Sequence, residues 1–163
     1  YGITSVQEAS ATDIYLRAVR ELEAEHRLPL DISTHIVSVP EPSTGEREES
    51  LAGLLDVKDA FASKHVHTGF VKFWLDGAPL PQLSTQCDLD NEGKPDSQRM
   101  SVNYDKLLER LTEYDARRMT CSMHVAGEGG VRLALDVYEA VRQKNPDGPR
   151  HELAHFNAIH PGK

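Results

Sequence analysis

The sequence predicts an α/β fold built on parallel strands. Short apolar runs alternate with amphipathic helical stretches, and the alternation recurs about five times along the chain. Strand-helix repetition of this kind makes the helices crossovers between parallel strands. A closed (β/α)8 barrel needs eight strands and typically about 250 residues, whereas this chain has 163. Two architectures therefore remain open at this point, a complete open sheet and a piece of a barrel.

Each element has its own signature. Ile3 to Glu8 (I-T-S-V-Q-E) reads as a strand, with Glu8 at its end. Ser10 and Asp13 read as a capping-box pair before a helix in which Ile14, Ala18 and Leu22 recur at helical spacing. Leu28-Pro29 closes that unit. Asp31 to Val39 (D-I-S-T-H-I-V-S-V) is rich in β-branched residues and reads as the second strand, stopped by Pro40 and Pro42. Leu51, Leu54, Leu55, Val57 and Ala60 mark a second helix with Ser50 as its cap. Gly69 to Leu75 (G-F-V-K-F-W-L) is the most apolar strand, and a long loop follows over 77–103. Loops of that length are usually functional or mobile. Leu107, Leu111 and Tyr114 mark a third helix, and Met119 to Val125 a fourth strand. Gly127, Gly129 and Gly130 turn into a fourth helix with Val131, Leu135 and Tyr138 on one face. The run Asn145-Pro146-Asp147-Gly148-Pro149 breaks the chain before a fifth strand, Arg150 to Phe156.

Composition narrows the function. With 26 acidic against 18 basic residues and a net charge of -8, the chain lacks the basic face that nucleic acid or an anionic membrane requires. No apolar run approaches the roughly 18 residues of a transmembrane helix. Cys87 and Cys121 stand outside any C-x-x-C pair, which points to a reducing compartment, and a cytoplasmic location is expected. The first residues do not read as a signal peptide, and because the chain opens on a strand-like run at Tyr1, an upstream segment is expected. Neither G-x-G-x-x-G nor a P-loop occurs. The G-E-G-G turn at 127–130 reads as a tight strand-to-helix connection rather than a phosphate cradle.

Three residues carry chemistry near the carboxyl ends of strands, where barrel active sites lie. Lys72 sits between Val71 and Phe73 in an apolar strand. Burial lowers the pKa of an amine, and a neutral amine reacts with carbon dioxide to give a carbamate, an anionic ligand able to bridge two metals. The competing reading is a lysine whose amine snorkels to solvent. His124 and His155 lie near the ends of successive strands. Imidazole is the commonest zinc ligand, although a lone histidine at a strand end is often only a polar boundary residue.

Four motifs then carry a resemblance. Y-G-I-T-S-V-Q-E-A at 1–9 resembles the G-I-T-S-V-x-D-A strand of the amidohydrolase superfamily. V-K-F-W-L-D-G at 71–77 is similar to that family's V-K-I-F-x-D-G. H-V-A-G-E-G-G-V-R-L-A-L-D-V-Y-E at 124–139 resembles H-A-I-G-D-x-A-V-D-x-A-L-D-A-x-E, and R-H-E-L-A-H-F at 150–156 resembles R-H-R-I-E-H. In this order they resemble the amidohydrolase family 3 branch, which includes N-substituted formamide deformylase-like proteins.

The resemblance implies a (β/α)8 TIM barrel of the metal-dependent hydrolase type. Residues 1–163 would form a partial catalytic barrel spanning about strands two to six, with 77–103 as a loop over the active-site face. It implies Lys72, possibly as a carbamate, with His124 and His155 as metal ligands, and one or two divalent ions as cofactors, with zinc expected. Asp76 and Glu128 would contact substrate or support the ligands. The family's strand-one H-x-H is expected upstream of Tyr1, and its general-base aspartate beyond Lys163. No catalytic residue is therefore assigned within this chain, and the chain alone is expected to be inactive. The only H-x-H, His65-Val66-His67, stands in the wrong order for strand one. His35, His67, His151 and His160 receive no role.

There are departures from the pattern. Glu128 stands where the family has Asp, Ala154 where it has Glu, and Ala78-Pro79-Leu80-Pro81 replaces a Ser-Leu-Gly run. The activity implied is hydrolysis of carbon-nitrogen bonds other than peptide bonds, through a metal-activated water, on a small amide-like substrate. No nucleic-acid or membrane partner is expected, and a homo-oligomer is compatible with the sequence. The alternatives are a non-catalytic, barrel-derived binding domain and a complete open-sheet protein without metal chemistry.

Overall fold

The computed structural model describes residues 2–40, 48–80 and 84–159, the side chains of 48–50 and 52 excepted. Five strands, β1 (Ser5–Ala11), β2 (Asp31–Val39), β3 (Val66–Trp74), β4 (Thr120–Val125) and β5 (Glu152–His155), form one sheet. Every pairing is parallel and the order is strictly sequential. An open doubly wound sheet reverses its order at a switch point, and none of these five strands does so.

A single contact measures the curvature. Gln7 Nε2 on β1 donates to Glu152 Oε1 on β5 at 3.3 Å. Four strand spacings of about 4.8 Å would hold the outer strands of a flat sheet about 19 Å apart, beyond the reach of two such side chains. The sheet therefore curls, and the fold is part of a (β/α)8 barrel.

The helices are α1 (Asp13–Ala24), α2 (Glu48–Asp56), α3 (Tyr104–Ala116) and α4 (Glu128–Lys144). Strand alternation divides the residues between the two sheet faces. Ile36, Val71, Phe73, Leu75, Cys121, Met123 and Val125 join Leu16 of α1, Leu107 and Leu111 of α3, and Val131, Ala134 and Val137 of α4 in the main core. The intervening residues, among them Lys72, Trp74, Ser122, His124 and Glu152, fall on the concave face.

Several local expectations are corrected. β1 continues through Ser10 to Ala11, so Glu8 lies inside the strand and Ser10 is not a cap. Thr12 is the cap instead, its hydroxyl accepting from Tyr15 N at 3.5 Å. The buried stripe of α1 is Leu16 and Val19, while Ile14 is 80% exposed and Ala18 is also exposed. Both stripes have helical spacing, and docking on the sheet selects the one with Leu16. Ser50 lies within α2 and does not precede it. β3 starts at Val66, ahead of Gly69, because Val66 pairs with Ile32 of β2. On α4 the buried face runs through Val131, Ala134, Val137 and Val141, leaving Leu135 exposed. Among the described residues, no helix is long and apolar enough to cross a membrane.

Candidate metal centre

The three expected ligand positions lie on adjacent strands at the carboxyl end of the sheet. Lys72 of β3 is 1% exposed. Burial pushes its amine down to about 8, and the negative charge of Glu152 partly offsets the shift. His124 of β4 is buried at 6% exposure, and its ring lies 4.5 Å from that of His155, edge to face. His155 is the last residue of β5 and is exposed. Strand alternation alone would turn it outward, since Leu153 two residues earlier packs against the core. Its φ of 76° takes it out of strand geometry, and the next residue, Phe156, has φ 54°. Such non-glycine conformations cost of the order of 1–3 kcal/mol each and persist where neighbours enforce them. Here Phe156 N donates to Val125 O at 3.0 Å and Ala158 N to Ala126 O at 3.1 Å, tying the end of β5 to the end of β4.

One hydrogen bond holds the His124 ring. Its Nε2 lies 3.1 Å from the Gly77 carbonyl, which can only accept, so Nε2 carries the proton. Its Nδ1 is buried and has no hydrogen-bond partner. Asp76 lies behind this pair, fully buried, with Oδ1 3.7 Å from His124 Nε2. The Asp76 carboxylate accepts from Ala126 N at 2.9 Å, Gly127 N at 2.8 Å and Cys87 N at 3.0 Å. It thus ties the ends of β3 and β4, the loop after β3 and the start of α4 into one rim. The glycines of the turn follow from this packing. A Cβ on Gly127 would stand 2.0 Å from Cys87 O, and one on Gly129 2.6 Å from Asp88 O. Glu128 opens α4 at this rim, half-buried, beside the Gly127 amide that Asp76 binds.

Other residues reach the concave face without having been singled out. The Trp74 indole stacks on His124, ring centroids 4.3 Å apart, and the Lys72 Nζ lies 5.2 Å from the indole centroid. His35 of β2 is 2% exposed and packs on Phe70, with Nε2 3.4 Å from Glu152 Oε2 but poorly aligned for a hydrogen bond. Glu152 links β1, β2 and β5 through Gln7 and His35. Alternation from Lys72 to Trp74, and from Ala154 back to Glu152, was the available signal for two of these. His151 has a structural part, donating to Asp115 from Nε2 at 3.0 Å and accepting from Cys121 N at Nδ1 at 3.2 Å. His65 precedes β3 at the far end of the sheet, where Nδ1 meets Asp31 Oδ1 at 2.9 Å, and His67 is exposed. His160 lies outside the described residues.

The model of the amidohydrolase family matches residues 1–163. The chain belongs to the amidohydrolase family. Its fold is similar to that of an uncharacterized metal-dependent hydrolase of Pyrococcus horikoshii OT3, with TM-score 0.66 and 16% identity over 97% of this chain and 29% of that one. It is also similar to an uncharacterized metal-dependent hydrolase of Pyrococcus furiosus, with TM-score 0.63 and 18% identity over 97% of this chain and 30% of that one. This amidohydrolase chain thus spans less than a third of either neighbour. Comparison with curated protein sequences returns no match.

The residues of this amidohydrolase chain fit a metal in part. The buried, unpartnered Nδ1 of His124 carries the lone pair a cation requires, and His155 stands beside it. Among the described residues, however, no three His, Cys, Asp or Glu side chains group as a metal site. The third expected position is Lys72, whose ammonium form repels a cation.

Acid should destabilise the metal-free fold. Burial is the largest cause lowering the pKa of His35, His124 and His151 from the ordinary 6.5. A histidine with a depressed folded pKa stabilises the fold fully above the unfolded value and loses that contribution as pH falls through the window below it. Each adds a slope of up to about 1.4 kcal/mol per pH unit there. Urea unfolding at pH 7.5 and 5.0 checks this, with the lower midpoint expected at pH 5.0. A midpoint unchanged between the two would contradict it.

Proposed function

We propose that this chain is part of a metal-dependent hydrolase that cleaves carbon-nitrogen bonds other than peptide bonds in a small amide-like substrate, N-substituted formamides being the first class to test. His124 and His155 hold a divalent ion, zinc in this reading, and Lys72 is the third ligand in its carbamate form. The observation that carries the reading is the free, buried Nδ1 of His124 beside the His155 ring. The burial that lowers Lys72 to about 8 supports the carbamate, because it leaves part of the amine neutral to add carbon dioxide with release of a proton. A bound cation of this kind activates water and polarises the carbonyl.

Other residues of the chain shape the site around the ion. The Gly77 carbonyl fixes the His124 tautomer, as outer partners of ligating histidines do. Asp76 holds the amides that shape the rim, and Glu128 faces the substrate side. The buried, free thiols of Cys87 and Cys121 support a reducing, cytoplasmic setting.

The test uses the purified protein that carries this chain. Zinc is measured by atomic absorption, and amine release from an N-substituted formamide is followed before chelation, after it, and after zinc is restored. About one or two zinc per protein, with turnover lost on chelation and regained on reloading, is expected. A protein without metal and without amine release in any state would refute the proposal.

A further inference from the structure

Trp74 is the only tryptophan of the chain. It pairs with His124 in the β3–β4 register and stands two residues from Lys72 on the same strand face. Its indole touches both side chains, lying at 29° to the imidazole with centroids 4.3 Å apart and 5.2 Å from the lysine nitrogen. Neither the family match nor the two structural neighbours assign this residue a part.

We propose that Trp74 is a positioning residue of the metal centre, its indole fixing the plane of the His124 imidazole so that the free Nδ1 points at the cation. The inference rests on the metal reading given above. The hydrogen bond from Nε2 to Gly77 O, 3.1 Å long, fixes one vertex of the imidazole. Because Nε2 lies close to the line of the Cβ–Cγ bond, one hydrogen bond there restrains rotation of the ring about that bond only weakly. A stacked plane removes that freedom, since rotation would drive the imidazole edge into the indole. His155 meets the same ring edge to face at 60°. The direction of the Nδ1 lone pair is thus set by two contacts of different kinds, one polar and one planar. The Lys72 amine lies over the same indole, a cation–π contact that belongs to its ammonium form and not to the carbamate. Phenylalanine keeps a stacking plane at this site, and leucine keeps apolar bulk without one.

The experiment titrates zinc alone against the metal-free protein that carries this chain, in competition with a chelating indicator. Wild type is compared with Trp74→Phe, Trp74→Leu and His124→Ala, and thermal midpoints of the metal-free forms serve as the folding control. Trp74→Leu is expected to weaken zinc binding by about 10- to 100-fold, the usual range for partners that orient a ligand. Trp74→Phe should stay close to wild type. The wild-type-minus-Trp74→Phe emission, which isolates this indole, should change on zinc saturation. Equal zinc affinity in Trp74→Leu and wild type, with His124→Ala unable to bind, overturns the inference and leaves the metal reading standing. Wild type that binds no zinc overturns both. Where Trp74→Leu fails to fold, the emission decides, and a difference signal unmoved by saturating zinc overturns the inference.

Discussion

Replacing Asp76 with alanine is expected to lower the unfolding free energy by about 3–5 kcal/mol, the range for stripping a buried charged group from its partners. The side chain is fully buried and accepts three backbone N–H groups, from Cys87, Ala126 and Gly127. Those donors come from two segments of the rim, the loop after β3 and the turn between β4 and α4. Alanine leaves them in a space too enclosed for them all to find water, and each buried donor without a partner costs about 1–3 kcal/mol. Asparagine repairs only part of the loss, because its amide nitrogen presents hydrogens where one carboxylate oxygen accepted. The order of stability expected in urea is wild type, then Asp76→Asn, then Asp76→Ala. An Asp76→Ala midpoint equal to wild type would show that the carboxylate faces a ligand site and does not hold the rim together.

His124→Ala is expected to weaken zinc binding by more than about 100-fold, beyond the 10- to 100-fold typical of an outer partner. Amine release should fall with it. The reason is the state of the ring: Nε2 is committed to the Gly77 carbonyl, and Nδ1 is buried with nothing to bind. An unpaired buried nitrogen is costly unless something occupies it, and a cation is the partner that converts the cost into affinity. His67→Ala is the control, an exposed histidine near the opposite end of the neighbouring strand β3. Equal zinc affinity in wild type and His124→Ala would remove His124 from the centre.

Much of the fold was legible because the relevant signals are local. The stripe Leu107, Leu111 and Tyr114 is buried on α3 as its spacing predicts. The glycine run at 127–130 does turn a strand into a helix. On α1, Ile14 and Leu16 both begin stripes of helical spacing, and only contact with the sheet separates them. The placement of Lys72, His124 and His155 near strand ends followed from the strands themselves. Trp74, Glu152 and His35 were not singled out, because a period of two divides a strand into two faces without saying which is concave. Asp76 is expected from the resemblance to contact substrate or support the ligands, yet its backbone partners lie 11, 50 and 51 residues away along the chain. No short window of sequence contains them.

The sequence by itself determined the alternation of strand and helix, the parallel class and the strands on which the ligand candidates stand. These follow from periods of 2 and 3.6 residues and from turn chemistry, all of which act over a few neighbours. Only the tertiary structure decided the curvature, recorded by a Gln7–Glu152 contact across 145 residues. It also decided which stripe of α1 is buried and the left-handed turn at His155. That turn reverses the alternation of β5 and brings its ring to within 4.5 Å of the His124 ring. Such features arise from contacts whose partners are far apart in the chain, where packing of whole elements outweighs the preference of any single residue.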